Sequence, residues 1–385
     1  MSAAPAACIK LGEVLSLSDR AISSSQLPEV NLAGVYSFGR GLFKRGPMRP
    51  AETSYKTYNR LVCDDFVISQ PKAWEGALAR VTDQFEGWFL SPVFPTFTAD
   101  PRRLLPAYLE WYCKRKTVWQ DLQILSKGMG ARRETVSPEQ FLTLEIPLPP
   151  LDEQRRIVAR IEELAAKVEE IQVAKADIQI KSQAMLRAVF SGIIEGAPRQ
   201  AMSEVAPLIR RPVELKMGEQ YPELGIRSFG KGTFHKPSLD YLSVGTKRLF
   251  SIRPGDLLFS NVFAWEGAIA VAKLHDEARF GSHRFMTCVA TQGVTTSNFL
   301  CFYFLTDDGL RKIGEASPGG AGRNRTLGLE KLARIEVPIP TYSKQLWFNR
   351  LRHKVADMLT LQVETAAELD AMLPAILDKA FKGEL

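Results

Sequence analysis

The strongest constraint on the fold is an internal repeat, in which one unit of the sequence recurs with a constant step of 191 residues. The segment SFGRGLFKR at 37–45 returns as SFGKGTFHK at 228–236, and no insertion or deletion interrupts the step. A duplicated unit predicts pseudo-twofold symmetry, and two related modules suit a two-part target. The other matching pairs are AWEGA at 73–77 and 264–268, LEIPLP at 144–149 with IEVPIP at 335–340, and Phe190 with Phe381.

The composition is that of a globular chain, 45% hydrophobic and 24% charged, whose 385 residues are enough for two ordinary domains and their connections. No apolar run reaches the roughly 18 residues that a membrane helix needs, and the N-terminus lacks the features of a signal peptide. The five cysteines include no CxxC pair, and the four histidines show no ligand spacing. We therefore expect a cytoplasmic protein with free thiols, no membrane association and no bound metal.

The positive charge is concentrated in two parts of the chain. The net charge is +7, and the excess of lysine and arginine lies in residues 1–145 and 196–338, whereas the segments between and after them are close to neutral. Basic globular modules suit a polyanion such as nucleic acid.

The fold class predicted is α+β, with two similar domains joined by two long antiparallel helices of coiled-coil type. Short strands are expected at 61–68 and 255–260, and short buried helices at 104–113 and 298–305. Residues 89–97 and 280–289 are expected to form paired strands. The boundaries assigned are 1–145 for the first globular domain, 146–195 for the central helical region, 196–336 for the second globular domain and 337–385 for the C-terminal helical region.

A heptad pattern predicts the first long helix at 151–190, with Asp152 as its N-cap and an end near Gly192. The second copy, at 343–382, contains Pro374, which should kink or break it. Two such seams most simply pack against each other as an antiparallel pair. The residues assigned to the seams and to partner docking are Ile157, Ile161, Leu164, Val168, Ile171, Phe348, Val355, Leu359, Leu369 and Leu373.

The length of these helices leaves two interpretations of their role open. Each would span roughly 60 Å at a rise of 1.5 Å per residue, which equals about 17 base pairs of DNA. They could act as a spacer that sets the distance between two binding sites, or simply hold two domains together.

Sequence motifs for catalysis are absent. The chain has no GxxxxGK[ST] loop, no GxGxxG after a strand, no GxSxG elbow and no HExxH pair, and its carboxylates are not clustered in a recognisable nuclease arrangement. We expect a binding protein with no catalytic residues of its own.

The repeated glycine, aromatic and basic segments are the first candidate for binding DNA. Their glycines allow a backbone to approach a ligand closely, and their cations suit phosphates or base edges. The alternative is a turn with packed phenylalanines and solvated basic side chains. The basic candidates are Arg40, Lys44, Arg45, Lys231, His235 and Lys236.

The AWEGA pair and the residues before it are a second candidate. We expect Trp74 and Trp265 to pack in the core, whereas Glu75 and Glu266 could cap a turn, pair with an arginine or accept a hydrogen bond from cytosine. The preceding polar residues include candidates for reading adenine, and they differ between the copies, which would suit related but unequal targets. The candidates for reading adenine are Gln70 and Asn261, and Lys72 beside them is also assigned to DNA binding.

Glycine-rich basic segments at 126–133 and 317–325 are the third candidate. Backbone amides and arginines in such a segment suit contacts with phosphates, although a plain loop leading into the next element is an equal alternative. The arginines assigned to DNA are Arg132, Arg133, Arg323 and Arg325.

Together these segments resemble the specificity subunit of type I restriction–modification enzymes over the whole chain. The most specific part is LEIPLPPLDEQRRIVARIEELAAKVEEI at 144–171. The second copy keeps its prolines and Gln345 but lacks the acidic pair Asp152 and Glu153. The weaker match leaves open how strongly this end binds its partner.

This resemblance implies a specific division of labour. Each globular domain would be a target-recognition domain that reads one half of a bipartite site in double-stranded DNA. Two adenine-N6 methyltransferase subunits would dock on the helical regions and use S-adenosylmethionine. Motor–nuclease subunits using ATP and Mg²⁺ would join them for cleavage, and the chain itself would bind no cofactor.

Because the two recognition domains are related to each other, the resemblance also predicts half-sites that are similar and inverted. The first alternative is a coiled-coil scaffold that does not bind DNA. The second is a specificity subunit that serves a methylation-only phage-defence complex without a nuclease.

Overall fold

The chain folds into two compact units, unit 1 of Met1–Lys175 with Val363–Leu385, and unit 2 of Ala176–Gln362. Each unit therefore contains one copy of the globular repeat and a part of each long helix. No described helix is long and apolar enough to cross a membrane. The computed structural model describes residues 7–49, 53–126, 135–319 and 325–384.

Unit 1 consists of short strands around a few helices. Its strands are β1 Cys8–Lys10, β2 Leu15–Leu17, β3 Ala21–Ser23, β4 Val30–Val35, β5 Leu42–Met48, β6 Thr57–Arg60, β7 Phe66–Ile68, β8 Leu78–Arg80, β9 Phe89–Leu90, β10 Thr96–Ala99 and β11 Glu145–Pro147. Its helices are α1 Pro106–Cys113, α2 Lys116–Leu125, α3 Pro138–Leu142, the first part of α4 Leu151–Ile194 and the last part of α10 Tyr342–Phe381.

Unit 2 repeats this arrangement. Its strands are β12 Arg199–Ala201, β13 Gln220–Ile226, β14 Thr233–Asp240, β15 Leu249–Ser251, β16 Leu257–Ser260, β17 Ile269–Val271, β18 Phe280–Ser282, β19 Phe285–Cys288 and β20 Glu336–Pro338. Its helices are the last part of α4, α5 Met202–Val205, α6 Tyr241–Val244, α7 Ser297–Phe304, α8 Asp307–Glu315, α9 Leu329–Ala333 and the first part of α10.

The strand registers confirm the internal repeat residue by residue. In unit 1, Cys8 pairs with Pro147 where β1 meets β11, and in unit 2 Arg199 pairs with Pro338 where β12 meets β20. Both members of the second pair lie 191 residues after those of the first. These two-stranded ladders join the first and last strands of each globular copy, just before the long helix that follows it.

Each unit contains two further sheets. In unit 1 the orders are β2-β10-β7-β8 and β3-β6-β9-β4-β5; in unit 2 they are β17-β16-β19 and β14-β13-β18-β15. The prediction of paired strands at 89–97 and 280–289 is wrong, because the two strands of each segment lie in different sheets. Between the strands of the first segment lie Pro92 and Pro95, which lack an amide to donate and so end the pairing.

The cores of both units lie between a sheet and the short helices. Phe66, Phe97 and Phe141 are buried together in unit 1, and Phe259, Phe299 and Phe304 in unit 2. The predicted buried helices are confirmed as α1 and α7. The predicted strand at 61–68 is shorter than expected, because Asp64 adopts a left-handed turn conformation with φ 66° and β7 begins only after it.

The ends of the long helices differ from the predictions in three places. Helix α4 begins at Leu151, so Asp152 lies in the first turn and pairs with Arg155 at 2.6 Å instead of capping the helix. It continues past Gly192 to Ile194, and the chain turns at Gly196 with φ 66°. Helix α10 continues through Pro374, so the expected break is absent.

In unit 1 the two helices pack as an antiparallel pair. Ile161, fully buried, lies in one cluster with Leu377 and Ala380, and further along the Lys175 Nζ donates to Thr365 Oγ1 at 2.7 Å. Residue numbers in α4 rise along the pair while those of their partners in α10 fall, so the two helices run antiparallel. Of the predicted seam residues, Val168, Phe348, Val355 and Leu369 are buried, Ile157, Leu164, Leu359 and Leu373 are half-buried, and Ile171 is 44% exposed.

A buried pair of arginine and aspartate occurs in both units. Asp65 and Asp256 are 2% and 3% exposed, and they accept hydrogen bonds from Arg20 and Arg211 respectively. Burial raises the pKa of Asp65 even though the Arg20 guanidinium lies beside it. In unit 2 both guanidinium nitrogens of Arg211 contact the carboxylate, at 2.6 and 3.1 Å. In unit 1 the pair links the segment between β2 and β3 to the residue before β7. In unit 2 it links the segment before β13 to the residue before β16.

Arg211→Ala is expected to lower the free energy of unfolding by about 3 kcal/mol, because it leaves the buried carboxylate of Asp256 without its counter-charge. Urea denaturation followed by circular dichroism measures the loss. Arg311→Ala is the control, since Arg311 forms only exposed ion pairs and should cost less than about 1 kcal/mol. Equal losses for the two variants would contradict the structural role of the buried pair.

Candidate nucleic-acid interface

Two equivalent hairpin loops carry the repeated glycine, aromatic and basic segments. Loop A, residues 36–41, joins β4 to β5, and loop B, residues 227–232, joins β13 to β14. Each is closed by a backbone hydrogen bond of 2.9 Å, from Tyr36 to Gly41 and from Arg227 to Gly232. Neither loop contains an insertion relative to the other, so the two present equivalent positions.

Both loops hold a phenylalanine in a left-handed backbone conformation. Phe38 has φ 64° and Phe229 has φ 61°, each followed by a glycine with φ 65°. A bulky residue with positive φ is strained and persists only when its surroundings impose the conformation. In this conformation the two side chains are 62% and 74% exposed.

The AWEG turns impose this conformation. In unit 1 the amides of Phe38 and Gly39 donate to the carbonyls of Glu75 and Gly76 at 2.8 and 2.9 Å. The equivalent bonds in unit 2, from Phe229 and Gly230 to Glu266 and Gly267, have the same lengths. Four backbone hydrogen bonds therefore dock the two loops on their turns in one geometry.

The glutamate side chains of these turns face the loops. Glu75 accepts from the Ser37 hydroxyl at 3.3 Å, and Glu266 accepts from the Ser228 hydroxyl at 3.1 Å. Lys72 also donates to Glu75, at 2.7 Å. These contacts favour a positioning role for the glutamates over the base contact considered from the sequence, and they engage Lys72 locally.

The tryptophans of the turns are half-buried and pack against the cores, as predicted. Each indole nitrogen donates to a backbone carbonyl, from Trp74 to Pro71 at 3.1 Å and from Trp265 to Val262 at 2.9 Å.

The exposed tip of each loop combines an aromatic ring with a cation. The Arg40 guanidinium lies 4.8 Å from the Tyr36 ring and 5.9 Å from the Phe38 ring. In loop B the Lys231 ammonium lies 5.9 Å from the Phe229 ring. Sequence reasoning missed Tyr36, which is 42% exposed and positions Arg40 by stacking. Such tips can place a cation on a phosphate or base edge while the ring contacts a base or sugar.

The basic residues after the loops lie on β5 and β14. Lys44 is exposed and lies 5.3 Å from the Trp88 ring, and Arg45 is also exposed. Lys236 is half-buried. His235 instead donates from Nε2 to the buried carboxylate of Asp276 at 2.9 Å, so its side chain is already engaged.

The candidates for reading adenine accept backbone hydrogen bonds from residues that follow the glycine-rich segments in the sequence. Gln70 and Asn261 are half-buried, and their carbonyls accept from the amides of Val136 and Leu327 at 2.9 and 2.7 Å. The Asn261 Oδ1 is buried and has no hydrogen-bond partner among the described residues. Both side chains are therefore only partly accessible to a ligand at the surface.

Of the four arginines assigned to the third candidate, one lies among the described residues. Arg325 is exposed, and its guanidinium lies 5.4 Å from the Trp265 ring. Arg132, Arg133 and Arg323 lie outside the described residues.

Unit 2 also brings together three residues for which the sequence showed no ligand spacing. The side chains of His235, His275 and Asp276 converge beside β14, near the end of the hairpin that carries loop B. Burial acts to raise the pKa of Asp276, but hydrogen bonds from the Lys273 amide, Thr233 and His235 outweigh it and lower the pKa. Sequence spacing could not reveal the cluster, because the hairpin brings His235 to residues 40 and 41 positions later.

Comparison with known proteins gives a consistent result. No model of a known protein family matches the chain. The EcoKI specificity subunit of Escherichia coli (strain K12) is 22% identical over 292 residues, which are 68% of this chain and 62% of that relative. The match thus spans less than two thirds of the relative's length.

Solved structures match over the whole length. A chain from the type I R-M system, studied for its complex assembly and conformational transition, has a TM-score of 0.72 at 21% identity, with 100% of both chains covered. The chain has the fold of a type I restriction specificity subunit. The HsdS subunit from Thermoanaerobacter tengcongensis gives a TM-score of 0.64 at 20% identity, covering 98% of this chain and 97% of that one. The resemblance inferred from the sequence is confirmed.

Within the specificity-subunit fold, the motif at 144–171 has a physical explanation. Its glutamine, Gln154, is fully buried, accepts from the Leu105 amide at 2.8 Å and donates to the Arg103 and Pro149 carbonyls at 2.7 and 2.8 Å. Its equivalent in unit 2, Gln345, is also fully buried. The motif therefore fixes the start of each long helix on its globular domain.

The acidic pair of the motif has a more local role. Asp152 pairs with Arg155, and Glu153 pairs with Arg156 through two contacts of 2.6 and 2.8 Å. All four positions differ in the second copy, where Leu346 and Trp347 replace the arginines and are 38% and 49% exposed. The two helix starts therefore share the buried glutamine but present different surfaces.

Proposed function

We propose that this chain is the DNA-recognition subunit of a type I restriction–modification complex and that it reads a bipartite target. The observation that carries the proposal is the pair of equivalent loops. Each holds an exposed phenylalanine in a strained backbone conformation fixed by the AWEG turn, with a cation beside its ring. A phenylalanine that only packed in a core would be buried, whereas a surface that contacts DNA uses exposed aromatic and cationic side chains. The basic charge of both globular segments supports the same function.

The two halves of the target are proposed to be similar and inverted. Supporting this is the equivalence of the loops in length, hydrogen bonds and backbone angles. Differences at a few contact positions, such as Lys44 against His235 and Gln70 against Asn261, would make the half-sites related but not identical.

Catalysis is proposed to belong to other subunits. Two methyltransferase subunits would dock on the helical regions and transfer a methyl group from S-adenosylmethionine to adenine N6. Motor–nuclease subunits using ATP and Mg²⁺ would add cleavage, and the complex would work in the cytoplasm. Exposed apolar residues on α4, including Ile171, Val173, Ile178 and Ile180, offer surface for such docking.

The proposal is tested by co-expressing the chain with the methyltransferase encoded beside it and mapping modified bases in the host DNA. A bipartite motif with methyladenine in both halves is the expected result. Co-purification without any motif would overturn the recognition role. Failure of the two proteins to associate would favour the scaffold alternative, whereas a methylated motif without restriction of phage would indicate the methylation-only complex.

Arg40→Ala and Lys231→Ala should each weaken DNA binding by about 1–3 kcal/mol if the cation contacts a base. Fluorescence anisotropy of the methyltransferase complex on its mapped site, at several salt concentrations, measures the loss. A sequence-independent loss with a salt slope reduced by about one would instead mark a phosphate contact.

Arg102→Ala and Arg334→Ala are the controls for this test, because both residues are strongly exposed and lie outside the two loops. Unchanged affinity in both loop variants would overturn the assignment of the loops to DNA.

A further inference from the structure

His235, His275 and Asp276, which converge beside the β13–β14 hairpin of unit 2, are side chains of the types that bind metal ions. The His235 Nε2 lies 2.9 Å from the Asp276 Oδ1, and the His275 Nε2 lies 3.6 Å from the same oxygen. The ligand atoms of all three residues lie within 4.8 Å of one another. His235 comes from β14, whereas His275 and Asp276 come from the 3-10 turn Leu274–Asp276, so two separate segments meet there.

The two carboxylate oxygens of Asp276 have different surroundings. Its Oδ2 accepts from the Thr233 hydroxyl and from the Lys273 amide, both at 2.9 Å. The Oδ1 faces the two imidazole nitrogens. Metal ligands are generally oriented in this way by a second set of hydrogen bonds, which fixes the direction of the free lone pairs.

The distances fit a small divalent ion. With metal–ligand bonds near 2.0 Å, two ligands of a tetrahedral zinc ion lie about 3.3 Å apart. The two measured nitrogen–oxygen distances, 2.9 and 3.6 Å, lie on either side of this value. Two imidazoles and one carboxylate suit Zn²⁺ and its neighbours among the transition metals, whereas Mg²⁺ and Ca²⁺ prefer oxygen ligands.

The burial pattern provides an opening for the ion and a reason to bind it. Asp276 is completely buried, whereas the side chains of His235 and His275 are 39% and 61% exposed. Hydrogen bonds already stabilise the buried carboxylate, and a cation at Oδ1 would replace the bond from His235 with a full positive charge beside it. The exposed side of the histidines leaves the ion an approach from solvent.

Unit 1 provides an internal comparison, because it solves the same packing problem without these groups. The positions equivalent to His235, His275 and Asp276 are Lys44, Gln84 and Phe85. Phe85 is 3% exposed and packs in an apolar cluster with Leu42, the equivalent of Thr233. All three ligands are therefore particular to unit 2, where an apolar anchor is replaced by polar groups.

We propose that His235, His275 and Asp276 bind a divalent transition-metal ion, of which Zn²⁺ is the best match, and that the ion ties the β13–β14 hairpin to the turn beneath it. The three residues leave a fourth coordination position for water. Because the hairpin carries loop B, the ion would stiffen that loop, while the site itself stands independently of any DNA-binding function.

The test is titration of the full chain, first treated with a chelator, with ZnCl₂ in a calorimeter. One zinc ion per chain, bound in the micromolar range or tighter, is expected, together with a rise in the melting temperature. His235→Ala and His275→Gln should each abolish this binding, and the second introduces the side chain type found at the equivalent position of unit 1. Thr233→Val should weaken binding roughly 10–100-fold through the orientation of Asp276.

His283→Ala is the matched control, because His283 is an exposed histidine of the same unit outside the cluster. It should bind zinc as tightly as the unmodified chain. Circular dichroism spectra equal to those of the unmodified chain would show that the variants are folded. Absence of stoichiometric zinc binding, or binding that survives in the folded His235→Ala and His275→Gln variants, would overturn the proposal.

Discussion

Gln154→Leu is expected to lower the free energy of unfolding of unit 1 by about 3 kcal/mol or more. The substitution removes three hydrogen bonds at once, to the Leu105 amide and to the Arg103 and Pro149 carbonyls. Since Gln154 is fully buried, water cannot replace the lost partner. Each buried polar group left without a partner costs about 1–3 kcal/mol. Urea denaturation measures the loss, and hydrogen exchange at the start of α4 reports whether that end detaches first.

Two further variants make this prediction sharp. Gln345→Leu should have a comparable effect on unit 2, since its amide donates to the Val294 and Pro340 carbonyls and accepts from Thr295. Gln172→Leu is the control, because this glutamine is exposed on the part of the same helix that belongs to unit 1. The two units can unfold separately, so exchange in each is followed on its own. A Gln154 variant as stable as the Gln172 variant would contradict the role assigned to the motif.

The repeat allowed much of the architecture to be predicted, because matching positions must fold alike. The short helices α1 and α7 and the long helices were found from apolar patterns, which depend on neighbours along the chain. The helix ends were less accurate. Asp152 was expected to cap α4, but the helix already begins at Leu151, directly after Pro149 and Pro150, so Asp152 lies inside its first turn. Pro374 was expected to kink or break α10; the helix does not break, and Leu373 and Leu377 on either side remain packed in unit 1.

The candidate site was predicted in part. Its loops were found because their residues are repeated, but the sequence did not indicate that Phe38 and Phe229 adopt left-handed conformations. That strain results from hydrogen bonds to turns 37 residues away, which no local pattern encodes. The cluster around Asp276 was missed for the same reason, since its contacts depend on how the hairpin meets the turn.

The comparison of the two units separates what the fold requires from what each copy has changed. The Arg–Asp pair, the buried glutamine and the docking of the loop on the AWEG turn occur in both units with nearly the same contacts. The groups beneath the hairpins and on the surfaces of the helix starts differ. We infer that the first set maintains the domain, whereas the second is where the two copies have acquired separate tasks.

Phe190→Ala is expected to lower the free energy of unfolding of unit 2 by about 3–5 kcal/mol, the usual cost of removing a buried aromatic ring. Phe190 is 1% exposed, and its ring centroid lies 5.0, 4.7 and 5.1 Å from those of Phe299, Phe302 and Phe348. The residue therefore joins α4 to α7 and α10 within this unit. Thermal and urea denaturation measure the loss, with hydrogen exchange in α7 as the local readout.

Phe381→Ala is the matched control, since Phe381 is the equivalent residue of α10 in unit 1. Its ring contacts Tyr108 and Tyr112 at 5.2 and 5.1 Å, but it is only half-buried. Burial determines how much area returns to water, so this variant should lose about half as much stability as Phe190→Ala. Equal losses would mean that the contact partners, not burial, determine the cost. A Phe190 loss below about 1.5 kcal/mol would show that α4 is held in unit 2 by other contacts.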